Sequence, residues 1–138
     1  MKPIYREELI KNYVENNVDY IYIQDIDDCE CVTASKNKTV EMLNLRISPN
    51  NIAVVIKVIE SWYLALMNQK SSKKYLRQNV DSTENYSKAK FEHFIPEGCP
   101  RIVFMLKLLE EIDFESAKRK NQSFEYFFEK WINPIIDS

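Results

Sequence analysis

The sequence predicts a helix-dominated α+β fold in one domain, 1–138, with a small N-terminal antiparallel meander packed by helices. An all-α bundle is the alternative. Three observations lead there. Apolar residues recur at helical spacing over 5–16, 49–69, 100–120 and 124–133, whereas short β-branched and aromatic stretches separated by polar turns fill 18–47. A chain of 138 residues buries roughly 65–70% of the surface its unfolded form exposes, enough for one core without staples.

Residues 5–16 read as a first helix. Leu9, Ile10, Tyr13 and Val14 share a face, and Glu7 and Glu8 sit where the helix dipole favours acids. Tyr20 to Ile26 reads as a strand, with Tyr20, Tyr22 and Gln24 on one side and Ile21, Ile23 and Asp25 on the other. Asp27 and Asp28 suit a tight turn. Cys29 to Ala34 alternates again, Ser35 to Lys38 is a second polar turn, and Thr39 to Ile47 completes the meander. A pair of short helices is the alternative for this stretch.

The strongest helix signal covers 49–69. Ser48 is a good N-cap and Pro49 suits the first helical position. The stripe Ile52, Val55, Ile56, Ile59, Tyr63 and Leu66 is broadened by Val54, Val58, Trp62 and Ala65. A helix apolar on most sides belongs in the centre of a domain. Residues 70–95 are polar and helical in pieces, and Ile95 to Gly98 reads as a turn with Pro96 in its second position. Pro100 opens a helix to about Lys120, with Ile102, Met105, Leu106, Leu109 and Ile112 as its core face. Ser123 caps a last helix carrying Phe124, Phe127, Phe128, Trp131 and Ile132, which Pro134 ends.

The composition narrows the function classes. There is one glycine, Gly98, where average usage would give roughly ten. Phosphate-cradling and dinucleotide loops depend on glycines, so neither is present. The longest uncharged run, Ile47 to Ile56, is ten residues, about half of what a membrane span needs. No apolar signal core follows Met1, Lys2 and Pro3, so a cytoplasmic chain is expected. Three cysteines, an odd number, are a poor disulfide framework.

The net charge of −2 is unevenly spread. Residues 1–34 hold three basic and eight acidic side chains, net −5; residues 68–90 hold six and two, net +4; residues 91–138 hold six and nine, net −3. Such patches steer partners.

His93 is the only histidine, so any histidine-based nucleophilic mechanism must use it. Cys99 lies six residues on, yet nothing else marks a nucleophile, and a packed imidazole and thiol are the plainer reading. Cys29, Cys31, His93 and Cys99 are suitable zinc ligands by type, but one residue between the first two is closer than the common knuckle. Glu110, Glu111, Asp113 and Glu115 are not a catalytic pair, because adjacent helical residues diverge by about 100°; Glu111 and Glu115 share a helical face. No enzyme, cofactor or metal centre is expected.

Two clusters remain. Asp25, Asp27, Asp28 and Glu30 form the densest acidic group, and opposite charge speeds docking of a basic protein. Lys70, Lys73, Lys74 and Arg77 fall at i, i+3, i+4 and i+7, one helical face suited to phosphates. The expectation is a small intracellular, bacterial binding protein that neutralises a protein partner. An immunity protein or antitoxin occluding a basic toxin such as a nuclease fits, with the acidic cluster as its contact surface. The alternative is a nucleic-acid-associated regulator using the basic stripe.

Overall fold

Gln24 and two small polar residues decide how the N-terminal part folds. In the computed structural model, which describes residues 3–138, the chain divides into two compact units, one ending at Val54 and one spanning Val55–Ser138. The first contains helix α1 (Pro3–Glu15), strand β1 (Tyr22–Asp25), helix α2 (Val32–Met42), a 3₁₀ turn (Pro49–Asn51) and, running up to the boundary, strand β2 (Ile52–Val55). The strands pair as a two-stranded parallel sheet, with α2 as the crossover.

The antiparallel meander is therefore corrected to a β–α–β unit. Parallel neighbours need a crossover rather than a hairpin, and the stretch taken as two further strands supplies it. Cys31 is the N-cap of α2, its sulfur accepting from the Ala34 N–H at 3.4 Å. A helix here agrees in part with the alternative of short helices, and the strand reading was preferred because the buried face of α2 is polar. Ser35 and Thr39, one turn apart, are buried. Gln24 donates to the Ser35 carbonyl at 3.2 Å and to its hydroxyl at 2.7 Å, and accepts from the Thr39 hydroxyl. Apolar periodicity does not register such a face. Ile10, Leu43, Ile47 and Ile52 form the unit's apolar core.

The helix expected over 49–69 is also corrected. Ser48 is an N-cap as expected, accepting from the Asn50 N–H at 3.3 Å, but it caps one 3₁₀ turn. The β-branched run that follows becomes β2, with Ile52, Ala53 and Val55 buried. A short, continuously apolar run is what a strand covered on both faces looks like. Helix α3 begins only at Glu60 and runs to Leu66.

In the second unit α3 is the central helix, as its composition implied. Val55, Trp62, Ala65 and Leu66 pack with Ala117, Phe124 and Phe128. Leu64 and Met67 belong to a second cluster with Leu76, Val80, Tyr86, Phe91, Phe104 and Leu108. Around it stand α4 (Gln69–Leu76), α5 (Lys88–Phe94), α6 (Arg101–Leu108), α7 (Phe114–Lys120), α8 (Gln122–Phe127), a π-helical turn (Phe128–Ile132) and α9 (Asn133–Ile136).

Three further expectations shift. The turn after α5 runs from Pro96 to Cys99, closed by the Cys99 N–H on the Pro96 carbonyl at 3.0 Å. Gly98 then falls at its third position, where its φ of 74° is what a type II turn requires. The helix from Pro100 stops at Leu108, and Asp113 caps α7 separately, accepting from the Ser116 N–H at 2.9 Å. The core face expected for α6 is only partly met: Met105 packs against the core, but Ile102 is 69% and Leu106 62% exposed, while Phe104 and Leu108 are buried. The rotation follows Arg101, whose guanidinium bridges the buried Glu60 and the exposed Glu92, so that 101, 104 and 108 point inward.

The last helix is capped by Asn121 rather than Ser123. Pro134 lies inside the first turn of α9 rather than ending a helix. The preceding π turn sends the Asn133 N–H to the Phe128 carbonyl, so the backbone has already changed register where Pro134 supplies no N–H.

Asn121 is 1% exposed and bonds in four directions. Its amide donates to Ser61 Oγ at 3.3 Å and Thr83 Oγ1 at 3.1 Å. Its oxygen accepts from Ser123 Oγ at 2.8 Å and the Phe124 N–H at 3.1 Å. Ser123 in turn accepts from the Trp62 indole at 2.8 Å.

Beyond Gly98, left-handed backbone falls on Asn17, Asp27, Asn44, Leu45, Lys57 and Arg77. Asn and Asp tolerate it; Leu, Lys and Arg do so at a cost.

Two outcomes follow. Asn121→Ala removes the α8 cap and strands buried partners, so stability should fall by about 3 kcal/mol, roughly 10 °C in thermal melts. Arg101→Met leaves the Glu60 carboxylate buried and uncompensated, a loss of about 3–5 kcal/mol. Adding Glu60→Gln should restore a large part of it, as a denaturant-melt cycle would read.

Candidate functional site

The first unit holds a cavity of about 590 Å³ between α1 and the β1 segment. Helical spacing delivers its first wall: Arg6, Leu9, Ile10 and Tyr13 project from α1 at i, i+3, i+4 and i+7. The second wall is the run Tyr20 to Asp25, with Asp27 at the rim. Arg6 donates to the Tyr22 hydroxyl at 3.2 Å. The rings of Tyr13 and Tyr20 lie 6.0 Å apart at 30°. The Asn51 side chain holds the backbone here, donating to the Tyr20 carbonyl at 3.0 Å.

The acidic cluster occupies the loop that leaves the C-terminal end of β1. Asp25 is half-buried at the strand end, while Asp27, Asp28 and Glu30 are exposed. Asp27 turns the chain with φ of 51°, and the Cys29 N–H closes the turn on the Ile26 carbonyl at 3.2 Å. Asp28 and Glu30 immediately precede the cap of α2, where the helix dipole favours acids. Asp25 and Asp27 thus lie on the side of Tyr20 and Tyr22, facing Arg6 and Tyr13 across the cavity; Asp28 and Glu30 extend the negative surface beyond it. In open α/β arrangements the C-terminal ends of parallel strands are where ligands are received. Aromatic walls beside carboxylates suit a cationic side chain, which gains from both the ring faces and the charges.

The basic stripe lies in the second unit. Residues 69–76 are helical as the stripe required, and Lys70, Lys73 and Lys74 are exposed on it. Arg77 is the left-handed C-cap, one residue past the helix. Lys70 pairs with Glu111 at 3.8 Å, and the Lys74 ammonium lies 5.1 Å from the Tyr75 ring centre.

Among the other candidates, Cys31 caps α2 and Cys99 packs against the apolar core of the second unit. His93 is exposed, so the packed imidazole expected from the sequence is corrected. Among the described residues no group of three or more His, Cys, Asp or Glu is placed to hold a metal. Asp113 caps α7, and Glu115 pairs with Lys118 at 2.8 Å. Glu111 and Glu115 do not share a helix, because Glu111 lies in the connection before α7. Among the described residues no helix is long and apolar enough to cross a membrane.

Tyr13 was legible only as part of a helical face and Tyr20 and Tyr22 only as a strand, and Arg6 was not singled out. The i, i+7 spacing of Arg6 and Tyr13 was the available signal for a shared wall. Compared with protein-family models, curated proteins and solved structures, the chain matches none of them.

Burial of Tyr20 pushes its phenol above the ordinary value of 10.0. Above that pH the unfolded chain releases a proton that the folded protein retains, so stability should decline as pH rises through this range. An ultraviolet titration should show a late phenol that Tyr20→Phe removes.

Proposed function

We propose that the chain is a small binding protein that neutralises a basic protein partner by occlusion, as an immunity protein or antitoxin blocks a toxin such as a nuclease. The observation that carries this reading is the junction of the acidic loop with the tyrosine-lined cavity: Asp27 at the rim, and Asp25, Tyr13, Tyr20 and Tyr22 in the walls. The negative surface steers a basic partner, and the cavity receives one of its lysine or arginine side chains as an anchor. The net charge of −5 over residues 1–34 supports the same direction of approach. Occlusion needs no catalytic group on the inhibitor. It needs only a surface that competes with the partner's own anionic substrate.

A second reading is favoured by the helical backbone under Lys70, Lys73 and Lys74. On that reading the exposed stripe contacts nucleic-acid phosphates, and binding weakens steeply with salt.

The test uses the wild-type chain and a variant carrying Asp25→Asn, Asp27→Asn, Asp28→Asn and Glu30→Gln. A stoichiometric basic protein captured from host lysate is identified by mass spectrometry, and association is timed against it. The variant should associate roughly tenfold more slowly and with a flatter salt dependence. Wild-type rates in the variant would remove the acidic loop from the interface. Salt-sensitive DNA or RNA binding abolished by Lys73→Ala, Lys74→Ala and Arg77→Ala would favour the second reading.

A further inference from the structure

A second cavity, about 350 Å³, lies in the Val55–Ser138 unit between α4, the 77–82 loop and α7. Its lining differs in kind from the tyrosine-walled one. Gln69 and Ser72 come from α4, Asn79 and Asp81 from the loop, and Ser116, Arg119 and Lys120 from α7.

The Lys120 ammonium gives one proton to the Met67 carbonyl at 3.0 Å, leaving two. Among the described residues the Arg119 guanidinium, the Gln69 and Asn79 amides and the Ser116 hydroxyl have no partner. The buried Ser72 hydroxyl has spent its proton on the Gln78 carbonyl at 2.8 Å. Asp81 is the one carboxylate of the lining, which carries a formal charge of +1; the amides and hydroxyls can both donate and accept.

Arg119 and Lys120 occupy the last turn of α7, where cations are favoured on helix-dipole grounds alone. That accounts for their charge and not for their setting. Burial holds the Lys120 ammonium below its ordinary pKa; the Asp113 charge opposes this, Arg119 adds to it, and Asp81 opposes it more weakly. A half-buried cation beside a second cation is relieved by an anion.

We infer that this cavity is a binding site for a small phosphate monoester, its phosphoryl oxygens received by Arg119, Lys120 and Ser116. A tetrahedral oxyanion takes donors from several directions, matching a lining assembled from two helices and a loop, and a guanidinium engages two of its oxygens at once. The cavity volume lies at the lower end for ligand sites, which fits a molecule of few heavy atoms. Asp81 accepts from a hydroxyl of the ester and disfavours densely charged polyanions.

The experiment is calorimetric titration of the folded chain with inorganic phosphate, with glycerol 3-phosphate and with a short single-stranded oligonucleotide. Each variant is checked by circular dichroism. Glycerol 3-phosphate should saturate one site and bind more tightly than inorganic phosphate. Arg119→Gln should weaken both by about tenfold or more, and Asp81→Asn should tighten inorganic phosphate several-fold, since a charge is removed in each case. Lys120→Met should abolish binding; if that variant does not fold, the exposed Arg119 and Asp81 carry the test with opposite signs. No saturable heat with either phosphate up to about 10 mM would overturn the proposal. So would phosphate binding unchanged in Arg119→Gln, or tight oligonucleotide binding that survives this substitution.

Discussion

The second unit depends on a single buried amide. Asn121 sits where three parts of the chain would otherwise separate: α3 through Ser61, the loop before α5 through Thr83, and the start of α8 through Ser123 and Phe124. In a low-dielectric setting each of these groups is costly if left alone, and a fully satisfied network specifies one arrangement. The consequence reaches past polar contacts. By fixing where α8 begins, Asn121 sets the rotation that presents Phe124 and Phe128 to Ala65 and Trp62, whose ring meets Phe124 edge-on at 5.5 Å. Thr83 is further tied by its N–H to the Lys120 carbonyl at 2.9 Å. The end of α7 and the loop that lines the polar cavity are therefore held by the same residues that organise the core.

Glu60 and Arg101 impose the other constraint. A carboxylate 3% exposed at the side chain must meet a cation, and Arg101 is the residue that reaches it. Once it does, the face of α6 is decided. Phe104 and Leu108 go inward, and the more conspicuous apolar set Ile102 and Leu106 goes outward. Charge pairing has overridden hydrophobic periodicity in an eight-residue helix, which carries too few apolar contacts to resist it.

The same competition explains what the sequence disclosed. Helical dominance, a central helix containing Trp62, and the aromatic face Phe124, Phe127, Phe128 and Trp131 followed from apolar spacing, because in those segments burial and spacing agree. The failures fall where another interaction decides. Over 32–42 the buried face is Ser35 and Thr39 hydrogen-bonded to Gln24, so the helix carried no apolar signature. Over 52–55 a buried strand and a buried helix look alike, since both are apolar throughout. At the acidic site the carboxylates were visible as a cluster, but the cavity beside them was not. Its tyrosines come from two elements, α1 and the segment around β1, and the periodicity of each alone does not show that these faces meet. The basic stripe was legible because it needs only one helix; the polar cavity between α4 and α7 needs two and a loop, and left no local mark.

Turn chemistry has a last consequence. In the described part of the chain up to Val54 there is no glycine, and the left-handed positions fall to Asn17, Asp27, Asn44 and Leu45. Residues with a Cβ have fewer backbone states than glycine both before and after folding. The acidic loop therefore has little conformational freedom to surrender when something docks on it. On the proposed docking role, less of the contact energy would be spent on ordering the loop, and the gain would be read in the dissociation rate rather than in the association rate that charge sets.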